Sequence, residues 1–235
     1  MRKMYLSAPL PFVGQKRMLA KEFMKVLEQY PDGTLFVDLF GGSGLLSHIT
    51  KSLKPHSTVI YNDFDNYRFR MKHIPQTNQL LADIREMVGN SVPRHKIIKG
   101  ELRERIFSRI EQEENSTGYV DFITLSSSIL FSMKYKLSVQ DMRKEALYNN
   151  IRKTGYPECT DYLEGLEIVS CDYKEVFNRY KDIPGVVFLV DPPYLSTDVG
   201  TYNMYWNMAD YLDVLNVLKG HSYVYFTSNK SSILE

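Results

Sequence analysis

The run Val186-Val187-Phe188-Leu189-Val190 most constrains the fold, because it is apolar throughout and stops abruptly at Asp191-Pro192-Pro193-Tyr194. β-Branched and aromatic residues in such a run predict a buried strand of a parallel sheet. In open α/β sheets, ligands bind just beyond the carboxyl ends of such strands. The Asp191 carboxylate, the Pro192 carbonyl and the Tyr194 ring together suit a flat heterocycle with an exocyclic amine. A stiff turn without chemistry is the alternative interpretation.

A second strand-to-turn junction precedes it in the chain. Residues 34–40 predict a buried strand, which runs into Gly41-Gly42-Ser43-Gly44 and then into a helical pattern. This layout lets a cofactor that contains a nucleoside approach the backbone closely. The third glycine of the dinucleotide fingerprint is missing, and no Lys-Ser/Thr pair follows as in a phosphate-binding loop. A tight turn without a ligand stays open as an alternative.

Two charged residues are candidates for contacts with the same ligand. Asp63 follows the next predicted strand, residues 58–61, at the position of a ribose-hydroxyl acceptor, whereas Asp65 is expected to cap the helix after it. Lys16 is predicted to lie in the first turn of a helix over residues 15–30, where the helix dipole disfavours a cation. Lys16 therefore either faces a ligand or is a solvated surface lysine.

The pattern changes to helices between residues 75 and 162, with helices predicted over residues 80–88, 101–114, 119–133 and 139–152. This stretch is too long for one crossover connection. We therefore expect a helical insertion over residues 75–162 in an α/β domain formed by residues 1–74 and 163–235. Basic side chains in the insertion are candidates for phosphate contacts, although a solvated helix face is an equal alternative. These candidates are Arg103, Arg105, Lys134, Lys136, Arg143 and Lys144.

Composition excludes several classes of protein. The chain has 235 residues, of which 43% are hydrophobic and 24% charged, as in globular proteins. No apolar stretch approaches the roughly 20 residues of a transmembrane helix, and the basic start lacks a signal-peptide core. Cys159 and Cys171 match no metal-ligand spacing, so we expect no metal site. Together with the lack of a transmembrane stretch, this makes a cytoplasmic location, without a membrane partner, the default expectation. Because the net charge is only +1, any nucleic-acid surface must be a local patch.

In their order along the chain, these motifs resemble the DNA adenine-N6 methyltransferases of the Dam type, which depend on S-adenosyl-L-methionine. The resemblance implies a Rossmann-like class I methyltransferase sheet, S-adenosyl-L-methionine as cofactor, double-stranded DNA as partner, and target recognition by the insertion. The matching segments are 11–16, 38–44, 62–63, 171–173, 191–194 and 227–229.

The resemblance also implies a role for each matching residue. Phe12 and Lys16 would border the methionine end of the cofactor, and Asp63 would accept from its ribose hydroxyls. Asp191 would lie beside the cofactor and, with the Pro192 carbonyl, accept from the target amine, while Tyr194 would stack on a flipped-out base. The remaining residues expected to bind the cofactor are Asp38, Phe40, Gly42, Gly44 and, near its adenine edge, Asp172.

Two segments depart from the family. Residues 147–150 and 154–157 resemble the sequence of the family's recognition hairpin only loosely. The DNA sequence that the protein would recognise is therefore not predicted. The family usually continues with two more strands after Ser228-Asn229. The strand over residues 223–227, expected to be buried on both faces, would then leave an exposed sheet edge that invites self-association or a partner.

Other functions stay open at this point. The same pocket chemistry could serve cytosine N4 or RNA, and the chain could bind S-adenosyl-L-methionine or DNA with little catalysis. A nicotinamide-dependent enzyme is disfavoured, because hydride transfer gives no reason for Asp-Pro-Pro-Tyr.

Overall fold

The computed structural model describes residues 3–131, 134–193 and 208–227, and the chain forms two compact units. The first unit contains residues 1–8, 12–68 and 159–235, as far as they are described. The second contains residues 9–11 and 69–158, so it begins and ends earlier than the predicted insertion and takes in a short N-terminal segment.

Helices and strands alternate at both ends of the chain, and helices dominate its middle. The helices are α1 (Ala20–Glu28), α2 (Leu45–Leu53), α3 (Tyr67–Lys72), α4 (Ile74–Val88), α5 (Gly100–Thr117), α6 (Phe122–Ile129), α7 (Val139–Arg143), α8 (Tyr173–Tyr180) and α9 (Met208–Leu218). The strands are β1 (Phe36–Asp38), β2 (Val59–Asn62), β3 (Ile97–Ile98), β4 (Leu147–Tyr148), β5 (Glu167–Val169), β6 (Val187–Val190) and β7 (Ser222–Tyr225).

The first unit is built on a five-stranded sheet in the order β5-β2-β1-β6-β7. All neighbouring strands are parallel, and Phe36 of β1 lies opposite Val59 of β2 and Val187 of β6. The chain moves outward from β1 through β2 to β5 and then returns to β6, so the strand order reverses between β1 and β6. Ligands of open α/β sheets bind at such a reversal. The Rossmann-like fold expected from the sequence is confirmed.

Helices cover both faces of this sheet. Val187 and Leu189 of β6 lie in one apolar cluster with residues of α1 and α2. Phe188 and Val190 lie in a second cluster with residues of α8 and α9. Because successive side chains of a strand point to opposite faces, the double cover explains why the run before Asp191 is apolar at every position.

In the second unit, the helix predicted over residues 139–152 is wrong beyond Arg143. Leu147 and Tyr148 instead form β4, antiparallel to β3, and the Asn149 N–H donates to the Lys96 carbonyl at 2.9 Å. Tyr148, Asn149 and Asn150 are poor helix formers, and pairing with β3 gives their backbone a better set of hydrogen bonds. The prediction missed β3, which has only two residues.

A buried ion pair holds the N-terminal part of the second unit together. The Arg70 Nε donates to both carboxylate oxygens of Asp121 at 3.2 Å, and both side chains are less than a tenth exposed. Arg70 Nη2 donates to the Pro11 carbonyl at 2.8 Å and to the Thr124 hydroxyl at 3.1 Å. Asp121 also caps α6 by accepting from the Thr124 N–H at 3.0 Å. One guanidinium thereby joins the segment 9–11, α3 and α6.

Two further expectations are corrected. The first helix begins at Ala20, so Lys16 lies in the preceding loop and not in a helical turn. The last strand is not buried on both faces, because Tyr223 is 44% exposed and β7 pairs, among the described residues, with β6 alone. Self-association or a partner strand at this edge stays a prediction. No helix in the described ranges is long and apolar enough to span a membrane.

Candidate active site at the reversal of strand order

The glycine turn after β1 has a backbone that only glycine adopts easily. Gly42 and Gly44 have φ of 48° and 72°, in the left-handed region, and the Gly44 N–H closes the turn on the Gly41 carbonyl at 2.7 Å. α2 begins directly after Gly44. A Cβ on Gly42 would lie 2.9 Å from the Phe12 ring, so the absence of a side chain lets that ring lie against the turn.

Asp38 ends β1 and is fully buried beside this turn. The Ser47 hydroxyl of α2 donates to its Oδ2 at 2.7 Å, whereas Oδ1 is buried with no hydrogen-bond partner in the part of the chain that the structure describes. Burial raises the pKa of Asp38 to about 7, the bond from Ser47 opposes the rise, and the negative charge of Asp191 adds to it. Asp38 therefore titrates near neutral pH.

This titration predicts a pH-dependent cost in stability. The usual pKa is 3.8 and the folded value is about 7, so between these values the folded state holds a proton that the unfolded state has lost, and stability falls as pH rises. Asp38→Asn cannot ionise. We compare the melting temperature of this variant with that of wild type at each pH. We expect the difference, variant minus wild type, to increase by about 2–4 °C or more between pH 4 and pH 7.

Thermal unfolding of the ligand-free proteins at a series of pH values measures this effect. Asp182→Asn, at an exposed position, is the matched control and should follow the wild-type curve. Parallel curves for wild type and Asp38→Asn would show that Asp38 is ionised throughout.

Asp191 follows β6 on the adjacent strand and is paired with Lys16. The Lys16 Nζ lies 2.6 Å from Asp191 Oδ2 and donates to the Gly14 carbonyl at 2.6 Å. Although 15% of the Asp191 side chain is exposed, its Oδ1 is buried and has no hydrogen-bond partner among the described residues. Burial raises the pKa of Asp191 to about 6, and the charge and hydrogen bond of Lys16 limit the rise. Lys16 is thus a buried partner of the carboxylate and not a solvated lysine.

Asp63 and Asp172, which follow β2 and β5, each cap the helix that comes next in the chain. Asp63 accepts from the N–H groups of Tyr67 at 2.6 Å and Arg68 at 3.1 Å, so it caps α3, a role that the sequence assigned to Asp65. Burial raises the pKa of Asp63. Asp172 caps α8 through the Lys174 N–H at 2.8 Å. Each carboxylate can still accept a further donor, because an ionised carboxylate offers about four lone pairs.

Aromatic rings flank the turn. The Phe12 ring packs edge-on against Tyr67, with centroids 5.8 Å apart, and the Phe40 ring lies 4.9 Å from that of Tyr173. Both rings are half-buried, which leaves them able to border a ligand.

The sequence analysis assigns no role to two residues that build this site, although Asn62 lies in a segment that matches the family. Tyr61 lies beneath the turn, with its hydroxyl 2.8 Å from the Gly42 carbonyl. Asn62 donates to the carbonyls of Leu39 and Cys171 at 2.9 Å and accepts from the Cys171 N–H at 3.1 Å. Asn62 thereby connects the ends of β1, β2 and β5. A polar side chain at the last position of a buried strand was the available signal.

The basic residues predicted to contact DNA lie in the second unit, and most are paired with acids. The guanidinium carbons of Arg103 and Arg143 lie 4.6 and 4.4 Å from the centre of the Phe107 ring. Each guanidinium also forms an ion pair with the Glu104 carboxylate, with a nitrogen–oxygen distance of 2.7 Å. The other pairs are Lys134 and Lys136 with Glu145, and Lys144 with Asp141. Arg105 is exposed and has no ion pair among the described residues. Phosphates would have to compete with these carboxylates, so DNA contact by this set stays a prediction.

The structure brings the predicted cofactor and catalytic residues of the first unit to the carboxyl ends of the strands, apart from Tyr194, which lies outside the described residues. The buried Oδ1 atoms of Asp38 and Asp191 are acceptors aimed at no protein donor among those residues. A site with four carboxylates and one lysine suits a ligand that carries positive charge. The described residues contain no cluster of His, Cys, Asp and Glu that could hold a metal ion.

Comparison with known proteins identifies a family and a relative. A family model described as "D12 class N6 adenine-specific DNA methyltransferase" matches residues 12–220. A protein of Haemophilus influenzae named "Putative methyltransferase" is 38% identical over 239 residues, which cover 99% of this chain and 79% of that protein. The span matched by the family model contains every site residue described above, from Phe12 to Asp191.

Proposed function

This chain belongs to the D12 class of N6 adenine-specific DNA methyltransferases, and from that premise we propose that it methylates adenine by direct transfer to a flipped-out base, with S-adenosyl-L-methionine as donor. The observation that carries the proposal is the buried Oδ1 of Asp191, an acceptor without a protein donor among the described residues, at the reversal of strand order. A reacting amine would supply the missing donor.

The residues of the first unit fit the cofactor. When bound, S-adenosyl-L-methionine supplies an electrophilic methyl group. Its cationic groups match the excess of carboxylates, and its ribose hydroxyls match the remaining lone pairs of Asp63. The tight turn through Gly42 and Gly44 lets the nucleoside approach the backbone closely. The residues proposed to hold the cofactor are Phe12, Lys16, Asp38, Phe40, Gly42, Gly44, Asp63, Asp172 and Asp191.

Asp191 and Pro192 have the chemistry to activate an exocyclic amine. The lone pair of an adenine amino nitrogen is delocalised into the ring, so the nitrogen is a poor nucleophile. A carboxylate oxygen and a carbonyl oxygen that accept its hydrogens favour a pyramidal nitrogen whose lone pair points toward the donor. Such acceptors act mainly by orientation and electrostatics, and no covalent enzyme intermediate is needed.

The target base must leave the duplex to reach Asp191, at a cost of a few kcal/mol. Tyr194 follows Pro193 directly in the chain, and its proposed role is to stack on the extruded base, which is worth roughly 1–3 kcal/mol. That role rests on the sequence and on the family.

Incubation with methyl-labelled S-adenosyl-L-methionine tests the proposal. DNA and RNA of the same sequence are the two substrates, and each product is digested to nucleosides and separated by chromatography. We expect label in N6-methyldeoxyadenosine alone. Label in N4-methylcytosine or in RNA would support the alternatives, and the absence of label would leave a binding protein.

For the DNA-facing surface we propose the β3–β4 ribbon, residues 94–99 and 147–153. A two-stranded ribbon fits the major groove, and this one is bordered by exposed basic side chains. Its exposed basic residues without an ion pair among those described are Lys96, Lys99, Arg152 and Lys153. The Arg152 guanidinium lies 4.2 Å from the centre of the Tyr156 ring, and its cationic edge is not used by a carboxylate. These residues compete with no internal acid for phosphate.

Charge reversal at this ribbon should weaken DNA binding. We expect Lys96→Glu with Lys153→Glu to lower the slope of log K against log[salt] by about 0.9 for each phosphate that the protein no longer neutralises. Arg105→Glu tests the helical surface predicted from the sequence without breaking an ion pair. Fluorescence titration with a DNA duplex at several salt concentrations measures both.

Lys219→Glu is the matched control, because it reverses an exposed charge in the first unit. An unchanged slope for the ribbon variant, with a reduced slope for Arg105→Glu, would move the DNA surface to α5.

A further inference from the structure

Tyr61 is buried directly beneath the glycine turn, and the turn is shaped around its ring. A Cβ on Gly41 would lie 2.3 Å from Tyr61 Cε2, and a Cβ on Gly44 would lie 3.3 Å from its Cζ. Tyr61 itself has no exposed surface. The Tyr61 ring thus requires glycine at position 41. At position 44 the ring adds to the crowding from Leu163 Cδ2, which lies 2.9 Å from the same Cβ, and to a left-handed backbone.

The Tyr61 hydroxyl lies between two acceptors. It is 2.8 Å from the Gly42 carbonyl and 2.9 Å from Asp63 Oδ1. A carbonyl has no proton to give, and an ionised carboxylate has none either, so the single phenolic proton serves both contacts. Burial and the nearby charge of Asp63 raise the pKa of Tyr61 well above its usual range, which keeps that proton in place.

These hydrogen bonds are part of a ring of contacts that begins and ends at the glycine turn. Asp63 holds the first N–H groups of α3, among them that of Tyr67. The Tyr67 ring packs edge-on against Phe12, and the Phe12 ring lies against Gly42. A change at Asp63 can therefore reach Gly42 both through the Tyr61 hydroxyl and through α3 and Phe12.

We propose that Tyr61 is a positioning residue that couples occupancy of Asp63 by a ribose hydroxyl to the conformation of the glycine turn. The inference rests on the proposed function, in which Asp63 accepts from the nucleoside. A ligand hydroxyl that donates to Asp63 competes with the phenolic proton. The proton is then available to the Gly42 carbonyl, and that bond fixes the turn against the bound nucleoside. Tyr61 touches neither the methyl group nor the target base.

The coupling predicts an effect on affinity without an effect on chemistry. Tyr61→Phe keeps the ring beneath Gly41 and Gly44 and removes the hydroxyl. We expect the Kd for S-adenosylhomocysteine, measured by calorimetry, to rise about tenfold, as for one lost hydrogen bond in a buried site. The kcat at saturating S-adenosyl-L-methionine should stay within about twofold of wild type, with the loss confined to KM. Tyr5→Phe is the matched control, because it removes a hydroxyl bond of 2.7 Å to Asp161 elsewhere in the unit, and its Kd should not change.

A double-mutant cycle with Asp63→Asn tests the coupling itself. Asparagine keeps an oxygen that caps α3 and removes the charge that attracts the phenolic proton. We expect the two increases in Kd to be less than additive, because either change breaks the same link. Additive increases, an unchanged Kd in Tyr61→Phe, or a Tyr61→Phe variant that does not fold would each overturn the inference while the proposed function stands. A wild-type protein that binds no S-adenosylhomocysteine would overturn both.

Discussion

Replacing Asp191 by Asn is expected to lower kcat for adenine methylation by about 10²–10³-fold, the loss typical of one preorganised electrostatic group. The substitution keeps the shape of the side chain and removes the charge that attracts the amine hydrogens. It also leaves the Lys16 ammonium, only 8% exposed, without the carboxylate 2.6 Å away. In the wild-type protein the pKa of Asp191 is about 6, so activity should fall as pH drops through that value and the acceptor becomes protonated.

Single-turnover methylation measured beside circular dichroism separates chemistry from folding. The matched control is Asp213→Asn, which removes an exposed carboxylate paired with Lys174 and should leave kcat unchanged. If Asp191→Asn keeps more than about a tenth of wild-type kcat, a loss below roughly 1.4 kcal/mol, the role assigned to this carboxylate is wrong.

The largest effect on stability is expected for Arg70→Met. This change leaves the Asp121 carboxylate, 4% exposed, buried without its cation, and it removes donors to the Pro11 carbonyl and the Thr124 hydroxyl. Breaking one side of a buried ion pair typically costs about 3–5 kcal/mol. Urea unfolding followed by circular dichroism should therefore show a markedly lower midpoint.

The double variant Arg70→Met with Asp121→Ser is the matched comparison. Serine keeps an oxygen that can cap α6 at the Thr124 N–H and removes the uncompensated charge. We expect it to recover a large part of the lost stability, because joint removal of a buried pair is far less costly than removal of one partner. A double variant as unstable as Arg70→Met would show that the bonds to Pro11 and Thr124, and not the charge, stabilise this part of the unit.

The parts of the molecule that the sequence predicts well are those fixed by local pattern. Residues 186–190 are apolar at every position, so their burial on both faces follows from the run itself, and Asp191 necessarily lies at its carboxyl end. The glycine turn is equally local, because Gly42 and Gly44 adopt a left-handed backbone. The family resemblance, which depended on six ordered segments that include these two junctions, is confirmed.

What the sequence could not predict depends on partners that are distant in the chain. Asp63 caps α3 although Asp65 lies nearer to it in the chain, because capping is decided by where the backbone turns and not by the nearest acid. The neutralisation of Arg103 and Arg143 by Glu104 required knowledge of how α5 and α7 pack. The pairing of β3 with β4 joins residues about fifty apart, and two-residue strands have no periodicity to detect.

The link formed by Asn62 at the ends of β1, β2 and β5 has a consequence for the energetics of turnover. A side-chain amide that bonds the backbone of neighbouring strands keeps their ends from shifting independently. Charge that develops near Asp38, at the end of β1, during a reaction then meets dipoles already oriented, so little reorganisation energy is needed. The free-energy cost of orienting those dipoles is met once, when the chain folds, and does not recur at each turnover. Part of the barrier reduction is thereby stored in the folding free energy of the sheet.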